Sequence, residues 1–171
     1  NEKPKILAQK LLGESVVGKN IQYFNKPPEL GQATPPHQDA YYFMIEPCHA
    51  LTMWLALDEV DEGNGCIRYV SGSHMQGLRT HARTETLGFS QGISDYGDDD
   101  LENERACIAS PGDLLAHHAL TIHRADSNQS DSRSRRALGF VFYGESAKED
   151  AVAHATYQQK LTQEMTAQGK I

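Results

Sequence analysis

His37-Gln38-Asp39 is the stretch on which the fold and chemistry of this chain turn. In an extended strand alternate side chains share a face, so His37 and Asp39 point one way and Gln38 the other. An imidazole beside a carboxylate is half of a metal-binding face. A second imidazole from a distant strand, with His123 as the first candidate, completes a set of two histidines and one carboxylate. That set leaves coordination positions open and suits non-haem iron(II). The spacing alone is not specific, because the chain holds eight histidines. His49, His74, His81 and His154 read as surface or turn residues. His117 and His118 sit close to His123, and on spacing either can take its place.

Upstream of this stretch, Lys5 to Leu12 reads as a short helix stopped by Gly13. Val16 to Lys26 reads as a strand with Gln22, Phe24 and Lys26 on one face, ended by Pro27-Pro28. Gly31 to Pro36 is a loop into His37. Downstream, Ala40 to Ile45 reads as a strand rich in aromatics, broken by Pro47. Ala50 to Leu57 follows, with Thr52 and Trp54 on one face and Met53 and Leu55 on the other. Gly63-Asn64-Gly65 is a turn before the short strand Cys66 to Val70. Strands are expected again over Ala106 to Ala109, Asp113 to His117, Leu120 to His123 and Arg135 to Tyr143. Ala147 to Lys170 has helical spacing of Tyr157, Leu161 and Met165. Many short strands with few helices predict a mainly β, antiparallel sandwich or jelly roll.

The whole chain, 1–171, is expected to be one domain with a real core. No apolar run reaches the ~18 residues of a transmembrane span, so no membrane partner is expected. A net charge of −7 argues against nucleic acid. Cys48, Cys66 and Cys107 are odd in number and lack CxxC spacing, which reads as reduced thiols and a cytoplasmic setting. Oligomeric state is not legible. Leu78 to Arg105 is polar and aperiodic, with Gly88, Gly92, Gly97 and the run Asp98-Asp99-Asp100. Such a length predicts an active-site lid or a solvated loop. Arg79, His81 and Arg83 within it could meet an anionic group.

Several segments together resemble the phytanoyl-CoA dioxygenase family. They are His37-Gln38-Asp39, the preceding Asn25-Lys26-Pro27-Pro28, and Asn64-Gly65-Cys66 followed by Ser71-Gly72-Ser73-His74. The run from Pro111-Gly112-Asp113 through His118, His123 and Asn128 to Arg135-Arg136-Ala137 belongs with them. The resemblance spans roughly residues 20 to 144 in the family's order. It implies a double-stranded β-helix (jelly roll, cupin-like) with flanking helices, and a single oxygenase domain lacking the family's N-terminal helical part. It also implies Fe(II), 2-oxoglutarate as cosubstrate and O2. By the same resemblance His37, Asp39 and His123 bind iron and Arg135 pairs with the distal carboxylate of 2-oxoglutarate. Gln22, Trp54 and Lys26 line the cosubstrate pocket, and His118 is a supporting residue. Members often carry serine or threonine two residues after the distal histidine, where this chain has Ala125.

The implied reaction hydroxylates an unactivated C–H bond of a small-molecule substrate, releasing succinate and CO2. Three alternatives stand beside it. A non-haem iron halogenase replaces the carboxylate with a small residue, and Asp39 disfavours that. A cupin-type metal-binding module or zinc hydrolase has no need of Arg135. A catalytically inactive scaffold is disfavoured by the intact triad. The acidic balance gives a coenzyme A thioester no preference over a free metabolite.

Overall fold

The structure, a computed structural model, describes residues 2–84, 86 and 90–167. Its strands in chain order begin with β1 (Val16–Lys26), β2 (Thr34–His37), β3 (Ile45–Glu46) and β4 (Ala50–Ala56). There follow β5 (Ile67–Val70), β6 (His81–Arg83), β7 (Gln91–Ile93) and β8 (Glu104–Cys107). The last are β9 (Leu114–His118), β10 (His123–Ala125), β11 (Arg135–Gly144) and β12 (Lys148–Glu149). The α-helices are α1 (Lys3–Leu12), α2 (Ala40–Phe43), α3 (Asp98–Asn103) and α4 (Ala151–Ala167).

Two four-stranded sheets, ordered β1-β11-β4-β9 and β2-β10-β5-β8, carry the fold, and every pairing within them is antiparallel. This is the expected double-stranded β-helix. Alternation along β4 decides what faces what. Leu51 and Met53 pack with Ala8, Val16 and Phe142 under α1, while Thr52 and Trp54 turn into the space between the sheets. Helix α1 starts with Pro4 in its first turn and ends at Gly13, whose φ of 76° is the left-handed conformation that glycine adopts freely. In strand β11 Arg135 is buried on the inner face, and its neighbour Arg136 is exposed.

Several segments differ from the sequence reading. Ala40 to Ile45 is not a strand, because Asp39 already has helical backbone (φ −58°, ψ −33°) and its carbonyl accepts from Tyr42 and Phe43. That turn buries the small Ala40 and lets Tyr41, Tyr42 and Phe43 fan out, which an extended run would not. Gly31 to Pro36 is not wholly loop, since β2 contains Pro35 and Pro36. Proline is tolerated there because β2 is a sheet edge with one pairing side. Leu120 to His123 is mostly a turn, and pairing begins only at His123.

Leu78 to Arg105 is more ordered than its composition suggests. It holds the hairpin β6–β7, and the run Asp98-Asp99-Asp100 forms the first turn of α3, where negative charge complements the helix dipole. Glu85, Leu87, Gly88 and Phe89 lie outside the described residues. The expected tail helix starts at Ala151 because Lys148–Glu149 first pairs with Ile45–Glu46.

Candidate metal centre

His37 ends β2 and His123 begins β10, and the two sit opposite each other in register. Asp39 comes from the turn into α2, so the face shared by His37 and Asp39 is made by a strand end and a helical turn together. His37, Asp39 and His123 place one ligand atom each within 4.8 Å of one another, the one such group among the described residues. Asp39 Oδ1 lies 3.6 Å from His37 Nε2 and 3.7 Å from His123 Nε2. Two ligands at right angles around an ion with bonds of about 2.1 Å stand about 3 Å apart, so small side-chain shifts close the site.

Hydrogen bonds behind the rings select the tautomer. His37 Nδ1 donates to the Pro35 carbonyl at 2.8 Å, and His123 Nδ1 donates to the Thr121 carbonyl at 3.0 Å. Each ring therefore turns an Nε2 lone pair inward, as a metal ligand must. Burial, together with neighbouring His37 and His117, holds the His123 imidazole well below its usual pKa and so neutral. Burial works against the charge on Asp39. The hydrogen bonds from His117 and His37 outweigh it and keep the carboxyl well below the usual range. A neutral imidazole at His123 and an ionised carboxylate at Asp39 are the protonation states that metal binding requires.

Two residues outside the triad hold Asp39. Thr52 Oγ1 donates to Asp39 Oδ2 at 2.5 Å, and His117 Nε2 donates to the same oxygen at 3.1 Å. Tyr69 donates in turn to His117 Nδ1 at 2.9 Å. His117, left open on spacing, thus stands behind the triad. The supporting role expected of His118 falls to it instead. His118 points to the other face of β9, near His49 and His74, and its Nδ1 accepts from Leu120 N–H.

Gln38, between the two ligands, is fully buried. Its amide donates to Gly77 and Leu120 carbonyls, and its oxygen accepts from Arg79 N–H. His81 is no surface residue: its ring stacks on Tyr41 and its Nε2 accepts from Gln38 N–H. Arg79, expected to be available to an anion, is tied to Asp95 and Asp100.

A cavity of about 920 Å³ runs from the triad along the inner faces of β1, β4 and β11, with Gln22, Lys26, Trp54 and Arg135 on its wall. Gln22 is largely exposed at the rim, whereas Trp54 is buried and its ring lies 5.2 Å from Arg135 Cζ. Arg135 is buried, and its Nε has no hydrogen-bond partner. Burial lowers its pKa to about 10. Lys26 sits opposite it across the β1–β11 ladder, and its Nζ donates to the carbonyls of Gln32 and Asp126. Burial and the neighbouring Arg135 bring Lys26 down to about 7. Two adjacent buried cations, one with an unused donor, fit a small dicarboxylate beside the metal. Beside Gly139 the Phe24 ring stands 2.6 Å from where a Cβ would sit. Ala125 lies buried on the same wall.

The family model for phytanoyl-CoA dioxygenase (PhyH) matches residues 4–137. The chain is 31% identical over 144 residues to phytanoyl-CoA dioxygenase domain-containing protein 1 of Bos taurus, covering 82% of this chain and 49% of that protein. It therefore spans about half the length of that relative. Among solved structures, EvdO2 from Micromonospora carbonacea var. aurantiaca, complexed with 2-oxoglutarate, superposes with a TM-score of 0.74. The identity is 26%, over 87% of this chain and 61% of that one. The epimerase SnoN, in complex with Fe3+, alpha ketoglutarate and nogalamycin RO, gives a TM-score of 0.72. There the identity is 25%, over 87% and 58% of the two chains. No described helix is long and apolar enough to cross a membrane.

Proposed function

This chain belongs to the phytanoyl-CoA dioxygenase family, and from that premise we propose that it is an iron(II)- and 2-oxoglutarate-dependent oxygenase that hydroxylates a small molecule. The observation that carries the reading is Arg135, a buried guanidinium with an unpartnered Nε on the wall of the cavity that also holds the His37, Asp39 and His123 cluster. A hydrolytic or purely structural metal site leaves that cation without a counter-charge. The retained carboxylate of Asp39 favours hydroxylation over halogenation.

In this reading His37, Asp39 and His123 hold iron(II) on one face. Arg135 receives the distal carboxylate of 2-oxoglutarate through its planar fork, with Lys26 adding charge beside it. Trp54 supports the guanidinium from below, and Gln22 borders the mouth. Thr52 and His117 occupy one oxygen of Asp39 so that the other faces the ion. With iron, cosubstrate and dioxygen bound, the site couples decarboxylation of 2-oxoglutarate to succinate and CO2 with insertion of one oxygen atom into an unactivated C–H bond. The hairpin β6–β7 acts as a lid that keeps water from the cavity.

The test is aerobic incubation of the chain with iron(II) and 2-oxoglutarate. Succinate should form, Asp39→Ala should abolish it, and Arg135→Ala should demand at least about 30-fold more 2-oxoglutarate for it. Intact 2-oxoglutarate in the presence of bound iron ends the reading. Oxygen-18 gas then separates hydroxylation from epimerisation, because only the former leaves label in the product.

A further inference from the structure

The cavity of about 920 Å³ lies near the upper end of the roughly 300–1,000 Å³ typical of ligand pockets, so a compact dicarboxylate leaves most of it for the substrate. The charge carried by the remaining wall bears on what fits there. Among the described residues that line the cavity, the cations are Lys26, Arg124 and Arg135. Lys26 and Arg135 form the cosubstrate pair. Arg124 is already neutralised: Nε and Nη2 donate to Glu104 at 2.6 and 2.7 Å, and Nη1 donates to Asp126. Among the described residues, no other cation with an open partner remains on the lining for an anionic substrate.

Outside the lining, Arg68, Arg79, Arg133 and Arg136 are each tied to a carboxylate, Arg105 donates to the carbonyls of Glu102 and Glu104, and the chain as a whole is acidic. Recognition of phosphates relies on arginine or lysine that is open to the ligand. Coenzyme A, with its pyrophosphate and 3′-phosphate, would find among the described lining residues only the cosubstrate pair and a carboxylate-saturated Arg124.

What the wall does offer is neutral. Phe24, Tyr42 and Phe43 present ring faces and edges inside, and Tyr23 and Leu30 at the mouth are 60% and 79% exposed. Such side chains pack against flat or cyclic apolar bodies. Between them stand uncharged donors and acceptors, among them Asn25, Gln32, Thr34 and Thr86. We propose that the substrate is an uncharged, ring-bearing molecule with hydroxyl or amide groups, and not a coenzyme A thioester. This deepens the oxygenase reading and rests on its placement of 2-oxoglutarate at Arg135 and Lys26.

Trp54 is the chain's one tryptophan and lines this cavity, so its fluorescence reports occupancy without turnover. The protein is titrated in the presence of 2-oxoglutarate with two matched pairs. One is testosterone against testosterone sulfate. The other is the N-acetylcysteamine thioester of octanoic acid against octanoyl-coenzyme A. The neutral member of each pair should bind at least tenfold more tightly, and testosterone more tightly than the neutral linear thioester. Equal affinity within a pair, tighter binding of a charged member, or no response to either neutral compound overturns the proposal. A separate titration with 2-oxoglutarate alone, on the wild type and Arg135→Ala, distinguishes the two failures. If 2-oxoglutarate binds wild type and the variant at least about 30-fold more weakly, a reversed pair preference removes only the substrate class. If 2-oxoglutarate does not bind at all, the oxygenase reading falls first.

Discussion

His117 Nε2 donates to Asp39 Oδ2 at 3.1 Å, on the carboxylate oxygen turned away from His37 and His123. The ring is itself held by Tyr69, so a chain of hydrogen bonds aims one oxygen of Asp39 at the metal position. Partners of this kind around metal sites typically contribute about 10–100-fold to metal affinity or activity. His117→Phe should therefore weaken iron(II) binding by about that factor while leaving the fold in place. Competition against a fluorescent chelator measures it. Unchanged affinity would mean that Thr52 alone orients the carboxylate.

That relationship was the part of the site least legible in the sequence. His37 and Asp39 announce themselves through spacing, and the order of motifs identifies His123 and Arg135 through family resemblance. The backbone that unites them was misread, because the aromatic run Tyr41-Tyr42-Phe43 has strand propensity but is wound into a helical turn by the packing of Ala40. Choosing between His117 and His118 needs the register of β9 against β4, where His117 falls opposite Thr52 and His118 opposite Leu51. Only the first of those faces the cavity. The strands β1, β4 and β11 are legible nearly to the residue, since each is a run of seven or more residues with β-branched, aromatic or aliphatic content bounded by turn residues. The hairpin β6–β7 is not, because strands of three residues carry no measurable period.

Arg135 and Arg136 are neighbours with opposite surroundings. Arg135 is buried beside Trp54, and Arg136 is exposed and bridged to Asp58. Loss of a buried charge-assisted partner typically costs about 2–5 kcal/mol, much of it from the carboxylate left unpaired. Arg135→Ala should raise the concentration of 2-oxoglutarate needed for half-maximal succinate release by at least about 30-fold, since ~1.4 kcal/mol is tenfold. Arg136→Ala should leave that concentration unchanged. Steady-state titrations of the two variants decide, and the reverse ranking would place the cosubstrate on the wrong face of β11.

The hairpin is tethered to the mouth of the site by Tyr42. Its hydroxyl donates to the Gln91 carbonyl at 2.7 Å and accepts from Gln91 N–H at 3.2 Å. Tyr157 of α4 adds a hydroxyl contact to Ser90. If the hairpin is a lid, Tyr42→Phe should speed hydrogen exchange at Gln91 to Ile93 and raise succinate formed per substrate oxidised, because water reaches the site. Exchange mass spectrometry and product counting check both. No change in either quantity would leave β6–β7 as a static element beside the site.

Lys26 gives the site a pH dependence whose sign can be worked out. Its folded pKa is about 7, against about 10.4 in an unfolded chain. Between those values the unfolded chain binds more protons, so stability without ligand rises as pH increases from about 7 and the cost of burying the charge is fully present below it. A dianion beside Lys26 favours the charged form and reverses that balance. Binding of 2-oxoglutarate above pH 7 should then take up a proton, and affinity should fall as pH rises, by up to tenfold per pH unit. Arg135 stays charged over this range, since its pKa lies near 10. Calorimetric titrations between about pH 6 and about pH 9, repeated in buffers of different ionisation enthalpy, count the proton directly. Lys26→Met should weaken binding at pH 6 and abolish both the proton uptake and the slope. Proton uptake that survives in Lys26→Met would assign the titration to a different group and remove Lys26 from the cosubstrate pocket.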